Sequence, residues 1–174
     1  MESELSMDKK ELLERESLRG LEGVSVVIEE MTPQVEDDGL TKAELKQEVE
    51  LRIHKAGIQV LPEQDATVPG SAYLYVNINL IKTGIGLYVY ASRVALKQEL
   101  VLPREPLMEF YAATWEIAGV GTVGINNLRG IVENISEHVD RFVKDYLAVN
   151  PSRAVQDSSP FNIKSRVDQF RCEW

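Results

Sequence analysis

The pattern of hydrophobic and polar positions changes its period several times between residues 22 and 102, and each change predicts a new element. A β-branched run at Gly23–Glu30 predicts a first strand, and Ile58–Leu61 predicts a short second strand. Residues 72–82 alternate between apolar and polar side chains, which is typical of a strand with one buried face. Each segment has a face that must be covered, so the order of elements predicts two packed layers.

The turn after this alternating strand sets the register of the next strand. A two-residue loop at Gly84-Ile85 would place Arg93 on the apolar face, where its charge would be buried. A three-residue loop, with Gly86 in the left-handed conformation, avoids this and pairs apolar positions across the hairpin. These pairs are Leu74 with Leu96 and Val76 with Val94. We therefore predict the three-residue loop, which also gathers Arg93 and Lys97 with the tyrosines and asparagines of the opposite face.

Two segments have the period of an amphipathic helix. In the first, Thr41 and Glu44 form a capping box and Gly57 supplies the C-terminal stop. Its apolar stripe consists of Leu45, Val49, Ile53 and Ala56. His54 lies on the other side of the helical wheel and is predicted to face solvent. The second helix is predicted to begin near residue 126 or 127 and to end before residue 151.

These signals predict a two-layer α+β fold, with a mostly antiparallel sheet and two main helices packed on one face. A last strand is expected at Met108–Ile117. We place a single α+β domain at residues 21–151. Residues 1–20 are polar and charged and predict an N-terminal tether or frayed helix, and residues 152–174 lack periodicity and predict a C-terminal tail.

Composition restricts the chemistry and the partners. The formal net charge of −9 disfavours binding to nucleic acids and to anionic membranes. Cys172 is the only cysteine, which excludes an intramolecular disulfide, a Cys-based zinc site and a C-x-x-C redox pair. With only two histidines besides, we predict no metal site and no cofactor. No run is long and apolar enough to predict a membrane span.

The glycines Gly119, Gly121 and Gly124 match the pattern G-x-G-x-x-G between a predicted strand and a predicted helix. Such a motif can cradle a phosphate at a helix N-terminus. The preceding strands predict a hairpin and meander instead of a βαβ unit, and no acid follows at the expected strand end. We therefore interpret Gly119–Gly124 as a flexible strand-to-helix connection. A small-molecule or nucleotide-binding enzyme domain centred on this segment is the alternative.

Catalytic residues are not predicted, because no serine lies in G-x-S-x-G and His138 lies at the flank of a helical stripe, as a boundary residue. The remaining candidate is the polar face of the hairpin, since aromatic residues and arginine are enriched at protein interfaces. The predicted partner-binding residues are Tyr73, Tyr75, Asn77, Asn79 and Arg93. The competing interpretation is an ordinary solvent face, where tyrosine is favoured anyway.

The run Gly39–Leu61 is similar to a stretch in a family of uncharacterised bacterial proteins. Three later segments, Tyr73–Asn77, Thr114–Glu116 and Phe142–Pro151, resemble the same family, so the resemblance covers about residues 20–151. It implies an exported protein but brings no activity and no site residues. In its order of elements the chain also looks like small periplasmic modules such as the amino-terminal domain of TolB.

The first twenty residues contain no apolar export signal. We expect a soluble protein, which is periplasmic or exported if a signal has been removed and otherwise cytoplasmic. Our first hypothesis is a non-catalytic interaction or assembly module of the bacterial envelope. It would hold a protein partner on a sheet face or a sheet edge, with its oligomeric state left open.

Overall fold

The computed structural model describes residues 2–63 and 72–151, with side chains from residue 9 onward. The α-helices are α1 (Glu2–Glu16), α2 (Pro33–Asp37), α3 (Lys42–Lys55) and α4 (Arg129–Val149). The strands are β1 (Gly23–Ile28), β2 (Gln59–Val60), β3 (Tyr73–Lys82), β4 (Leu87–Leu102) and β5 (Met108–Gly124). The predicted tail at 152–174, including Cys172, lies outside the described residues.

The strands form one sheet in the order β2-β1-β3-β4-β5. Strand β1 runs parallel to both of its neighbours, whereas the long pairings of β3 with β4 and of β4 with β5 are antiparallel. Helix α3 packs against β1 and β2, helix α4 packs against β4 and β5, and the two helices contact each other. The predicted two-layer α+β fold with a mostly antiparallel sheet is therefore confirmed.

A single hydrophobic core lies between the helices and the sheet face that they cover, which we call the inner face. The fully buried residues from the sheet include Val24, Val26, Leu74, Val76, Val94 and Leu96. Those from the two main helices include Leu45, Val49, Ile53, Ile131, Ile135, Val139, Phe142 and Tyr146. Because side chains of a strand alternate between its two faces, the residues between these strand positions point away from the helices. They form the outer face of the sheet.

The predicted facing of helix α3 is confirmed. The backbone N–H of Glu44 donates to Thr41 Oγ1 at 3.2 Å, so Thr41 caps the first turn. Gly57 follows the helix with a φ of +74°, a left-handed conformation that a residue without a β-carbon adopts at little cost. Leu45, Val49 and Ile53 of the apolar stripe are buried, Ala56 is partly buried, and His54 is exposed.

The predicted register of the hairpin is also confirmed. Thr83 and Leu87 close a three-residue loop, with a hydrogen bond of 2.8 Å from Thr83 N–H to the Leu87 carbonyl. Gly86 in that loop has a φ of +77°. The pairs Leu74–Leu96 and Val76–Val94 form, as predicted from the three-residue loop. The same register places Asn77 opposite Arg93 on the outer face.

The segment after residue 117 departs from the prediction. Strand β5 continues to Gly124, and Gly119 and Gly121 pair with residues of β4 inside the sheet. The predicted flexible connection is therefore wrong, because these glycines belong to a strand. A 3₁₀ turn at Ile125–Asn127 leads into α4, which therefore begins at Arg129, slightly after the predicted start near residue 126 or 127.

Helix α1 is joined to the end of α4 by several hydrogen bonds. Leu18, just after α1, is fully buried. The Asn150 side chain donates to the Leu18 carbonyl at 3.0 Å and accepts from Gly20 N–H at 2.8 Å. One turn before the end of α4, the buried carboxylate of Asp145 contacts Arg15 of α1 at 3.1 Å. These contacts tie residues 15–20 to the core.

Candidate functional site

The outer face of the sheet brings together all five residues predicted to bind a partner. Tyr73, Tyr75, Asn77 and Asn79 follow one another at every second position of β3. Arg93 lies beside Asn77 on the neighbouring strand β4. That this face binds a partner remains a prediction.

Glu29 organises one half of this surface. It follows β1 and continues the parallel pairing, since its N–H donates to the Val76 carbonyl at 2.9 Å. Its carboxylate accepts hydrogen bonds from the Tyr75 hydroxyl and from the Asn77 side-chain amide. Asn79 then donates to Asn77 Oδ1 at 2.7 Å. Three consecutive outward side chains of β3 are thereby held in one hydrogen-bonded chain.

Lys97 of β4 organises the other half. Its ammonium lies 3.8 Å from the centre of the Tyr75 ring and 5.9 Å from that of Tyr73, within cation–π range. The Tyr73 ring in turn contacts the Tyr111 ring of β5, with centroids 6.0 Å apart and a tilt of 36°. Burial and then the hydrogen bond to Glu29 raise the pKa of Tyr75 to about 12. Its hydroxyl therefore stays protonated and acts as a donor at neutral pH.

Arg93 forms an ion pair with Glu116 of β5 on the same face. About half of the Arg93 side chain is exposed, so this pair contributes little to stability by itself. It does fix the guanidinium in one position above the sheet, where it can still donate to a partner. The aromatic, amide and charged groups of the outer face are thus held in place by one another.

The part of the outer face nearest to the hairpin loop is apolar. Its side chains are highly exposed: 70% for Ile81, 82% for Ile85 and 85% for Val120. Val89 lies between them on β4 and is 44% exposed. The outer face therefore combines an apolar part with a part that carries fixed polar and aromatic groups.

Sequence reasoning missed three members of this surface. Glu29 belongs to it because β1 lies next to β3, and no local pattern indicates that neighbour. Tyr111 and Glu116 belong to it because β5 lies next to β4 and a bulge near Leu96/Lys97 shifts its register. Alternation along the last strand could have indicated both residues only if the bulge had been known.

Gly119 and Gly121 of the glycine motif lie on the inner face of the sheet. Gly119 is paired with Ser92 and Gly121 is paired with Tyr90. A β-carbon on Gly119 would lie 3.4 Å from the His138 ring, and one on Gly121 would lie 2.7 Å from the Tyr90 ring. Gly121 therefore makes room for the Tyr90 ring, whereas a β-carbon on Gly119 would make an ordinary van der Waals contact with the His138 ring. The strand conformation of the two glycines does not provide the loop of converging N–H groups that a phosphate cradle requires.

Beneath Gly119 lies a small buried polar cluster. The Ser92 hydroxyl donates to Asn134 Oδ1 at 2.7 Å, and no hydrogen bond within the described residues links it to His138. His138 is buried, which corrects its prediction as a boundary residue, and its Nδ1 atom has no hydrogen-bond partner among the described residues. Burial lowers the pKa of His138, and nearby Glu137 partly offsets this effect. The cluster contains a serine and a histidine without the hydrogen bond of a nucleophile to its base.

Two properties of the described residues bear on other classes of site. None of their helices is long and apolar enough to cross a membrane. Within residues 2–63 and 72–151, no three His, Cys, Asp or Glu side chains lie close enough together to hold a metal ion.

Comparisons with known proteins add little. No protein-family model matches the chain, and no curated protein matches it. Among solved structures it is similar to the crystal structure of rare lipoprotein B from Shewanella oneidensis, with 14% sequence identity and a TM-score of 0.26. The match covers 78% of this chain and 99% of that chain. A TM-score this low establishes neither a shared fold nor a shared function.

Proposed function

We propose that this chain is a non-catalytic interaction module that holds a protein partner on the outer face of its sheet. The observation that carries this proposal is the fixed arrangement of Tyr73, Tyr75, Asn77 and Arg93 on the face opposite the main helices. Side chains that are ordered before binding lose less conformational entropy when a partner arrives.

The composition of the face fits a protein partner. Tyrosine and arginine are the residues that most often dominate binding energy at protein interfaces. Ile81, Val89 and Val120 provide exposed apolar area beside them. An apolar part bordered by polar groups is the usual anatomy of a specific interface. As the compartment we propose the bacterial envelope, which rests on the resemblance to exported bacterial proteins.

The full 174-residue chain can test this proposal against solubilised envelope proteins of the native organism. The test variant is Asn79→Ala/Arg93→Ala, which changes two exposed outer-face residues. The matched control is His54→Ala/Lys55→Ala, which changes two exposed residues at the end of α3. We expect a protein that the wild type and the control retain and that the test variant loses. Equal retention by all three chains, or no retained protein, would contradict the proposal.

A nucleotide screen separates this function from the enzyme alternative centred on Gly119–Gly124. A ligand at 100 times its dissociation constant stabilises a protein by about 2.7 kcal/mol. We expect no thermal shift with millimolar NAD, NADP, ATP or GTP. A saturable shift, together with nucleotide-dependent movement of the Gly121 and Gly124 amide signals, would favour the alternative.

A further inference from the structure

Within the part of the chain that the structure describes, the outer edge of β5 leaves a row of backbone groups unpaired. In an antiparallel ladder, alternate residues direct their N–H and C=O groups toward the same neighbour. Ile125 N–H donates to the Gly86 carbonyl at 3.1 Å, so the odd-numbered residues of this segment face β4. The even-numbered residues Ala118, Val120 and Thr122 direct theirs away from the sheet. All three are exposed, and no hydrogen bond within the described residues engages these outward groups.

This part of the edge lacks the usual protection against pairing with another strand. Protein edges are normally blunted by charges, prolines, bulges or very short strands. The first half of β5 has Glu109, Glu116 and the bulge near Thr114, and the opposite edge of the sheet is the two-residue strand β2. The segment Ile117–Gly124 has no charge, no proline and no bulge.

We propose that a second copy of this chain pairs with this edge, β5 against β5, antiparallel and centred on Val120. In this arrangement a twofold axis relates the two copies and passes beside Val120. It places Val120 opposite Val120 of the second copy and Ala118 opposite Thr122. All of these residues direct their backbone groups outward, so each pair exchanges two N–H···O bonds. Both sheets join into one continuous sheet across the axis.

A second copy fits this edge because the segment is complementary to itself. Two chains that each carry a net charge of −9 repel one another, and the uncharged run from Ile117 to Gly124 lets them approach without adding a like-charged contact. On the inner side, Gly119 of one copy faces Gly121 of the other, so these two central positions bring no side chains between the two layers of helices. On the outer side, Val120, which is 85% exposed, packs against its own symmetry mate.

Sedimentation of the full chain with three variants tests the dimer. We expect the wild type to be dimeric at about 100 μM, where a complex with a micromolar dissociation constant is almost fully formed. Val120→Lys places two like charges face to face, and Val120→Pro removes an N–H that β4 does not use. Each should weaken association by roughly 30-fold or more. Val120→Thr, the control, should remain dimeric. A monomeric wild type, or a dimer that neither Val120→Lys nor Val120→Pro weakens, would overturn the proposal.

Disulfide trapping tests the register. In a Cys172→Ser background, Val120→Cys places two cysteines opposite each other, with α-carbons about 5.5 Å apart, which a disulfide spans. Ala118→Cys, its matched control, faces Thr122 of the other copy. We expect covalent dimers from Val120→Cys and essentially none from Ala118→Cys. Equal yields would overturn this register. The dimer does not depend on the proposed partner, since Asn79→Ala/Arg93→Ala should abolish partner capture and leave the dimer intact.

Discussion

The ring of Tyr90 on β4 lies against the α-carbon of Gly121 on β5, its direct cross-strand neighbour. A β-carbon on Gly121 would lie 2.7 Å from both Cζ and the hydroxyl oxygen of Tyr90, closer than two such atoms can approach. An aromatic ring that covers a glycine on the adjacent strand restores packing that the missing side chain cannot provide. The glycine is therefore a packing partner of Tyr90.

The substitution Gly121→Ala should displace this ring and destabilise the protein by about 1–3 kcal/mol, as overpacking usually does. Urea unfolding measures the loss. In the double variant with Tyr90→Ala the steric conflict is gone, so the cost of Gly121→Ala should largely disappear. Gly124→Ala is the control, because no atom of the described residues, apart from its chain neighbours, lies within 4 Å of the added β-carbon. Equal effects of Gly121→Ala and Gly124→Ala would show that the ring does not constrain this position.

Val49 faces the core from the middle of α3 and is 1% exposed. Val49→Asp would bury a carboxylate without a partner, and we expect a loss of several kcal/mol, seen as a large drop in melting temperature. Leu51→Asp on the same helix is the matched control, since Leu51 is 43% exposed. It should melt close to the wild type. A Val49→Asp variant that melts within a degree or two of wild type would contradict the assigned facing of the helix.

Asp145 joins three elements through one buried carboxylate. It accepts hydrogen bonds at 3.1 Å from Arg15 of α1, from the Trp115 indole of β5 and from Arg141 of its own helix. Asp145→Ala leaves the Trp115 N–H without its partner and removes the anchor of Arg15. We expect a loss of about 3 kcal/mol, because breaking a buried pair leaves polar groups unsatisfied.

Hydrogen exchange can locate the effect of Asp145→Ala, which should be greatest in the last turns of α1. Asp140→Ala provides the control on the same helix, since Asp140 pairs with Arg52 at the surface. That pair should contribute less than about 1 kcal/mol. If both variants lost the same stability, the three-way contact at Asp145 would not be what holds α1.

His138 predicts a dependence of stability on pH. Burial lowers the pKa of its ring below the ordinary value of 6.5, so between the two pKa values the unfolded chain binds more protons than the folded chain. The contribution of His138 to the free energy of unfolding is then fully present above pH 6.5. It is lost as the pH falls toward the pKa of His138 in the folded protein. For one proton the slope cannot exceed about 1.4 kcal/mol per pH unit.

Urea unfolding of the wild type and of His138→Gln at pH 7.5, 6.5 and 5.5 measures this contribution. Glutamine does not titrate, so the variant should lose less stability than the wild type on acidification. Carboxylates elsewhere affect both proteins equally and cancel in the difference. If the free energy of unfolding of the two proteins changed with pH in parallel, the folded protein would hold the charged imidazole as well as the unfolded chain does.

Local sequence patterns predict part of the outer face. The alternation of residues 72–82 and the chemistry of the Gly86 turn were enough to place Tyr73, Tyr75, Asn77, Asn79 and Arg93 on one surface. Both signals depend on residues that are close together in the chain. No local pattern indicates that Glu29 belongs to this surface, because its contact with Tyr75 joins elements that are distant in sequence.

The sequence by itself determined the helix facing of Leu45, Val49 and Ile53 and the register of the β3–β4 hairpin, since periodicity and turn chemistry are local properties. Only the tertiary structure decided that β1 lies between β2 and β3, that Gly119 and Gly121 continue a strand, and that His138 is buried. The glycines show the physical reason. At Gly121 the weak strand propensity is overridden by pairing with β4, where the Tyr90 ring occupies the space that a side chain would fill.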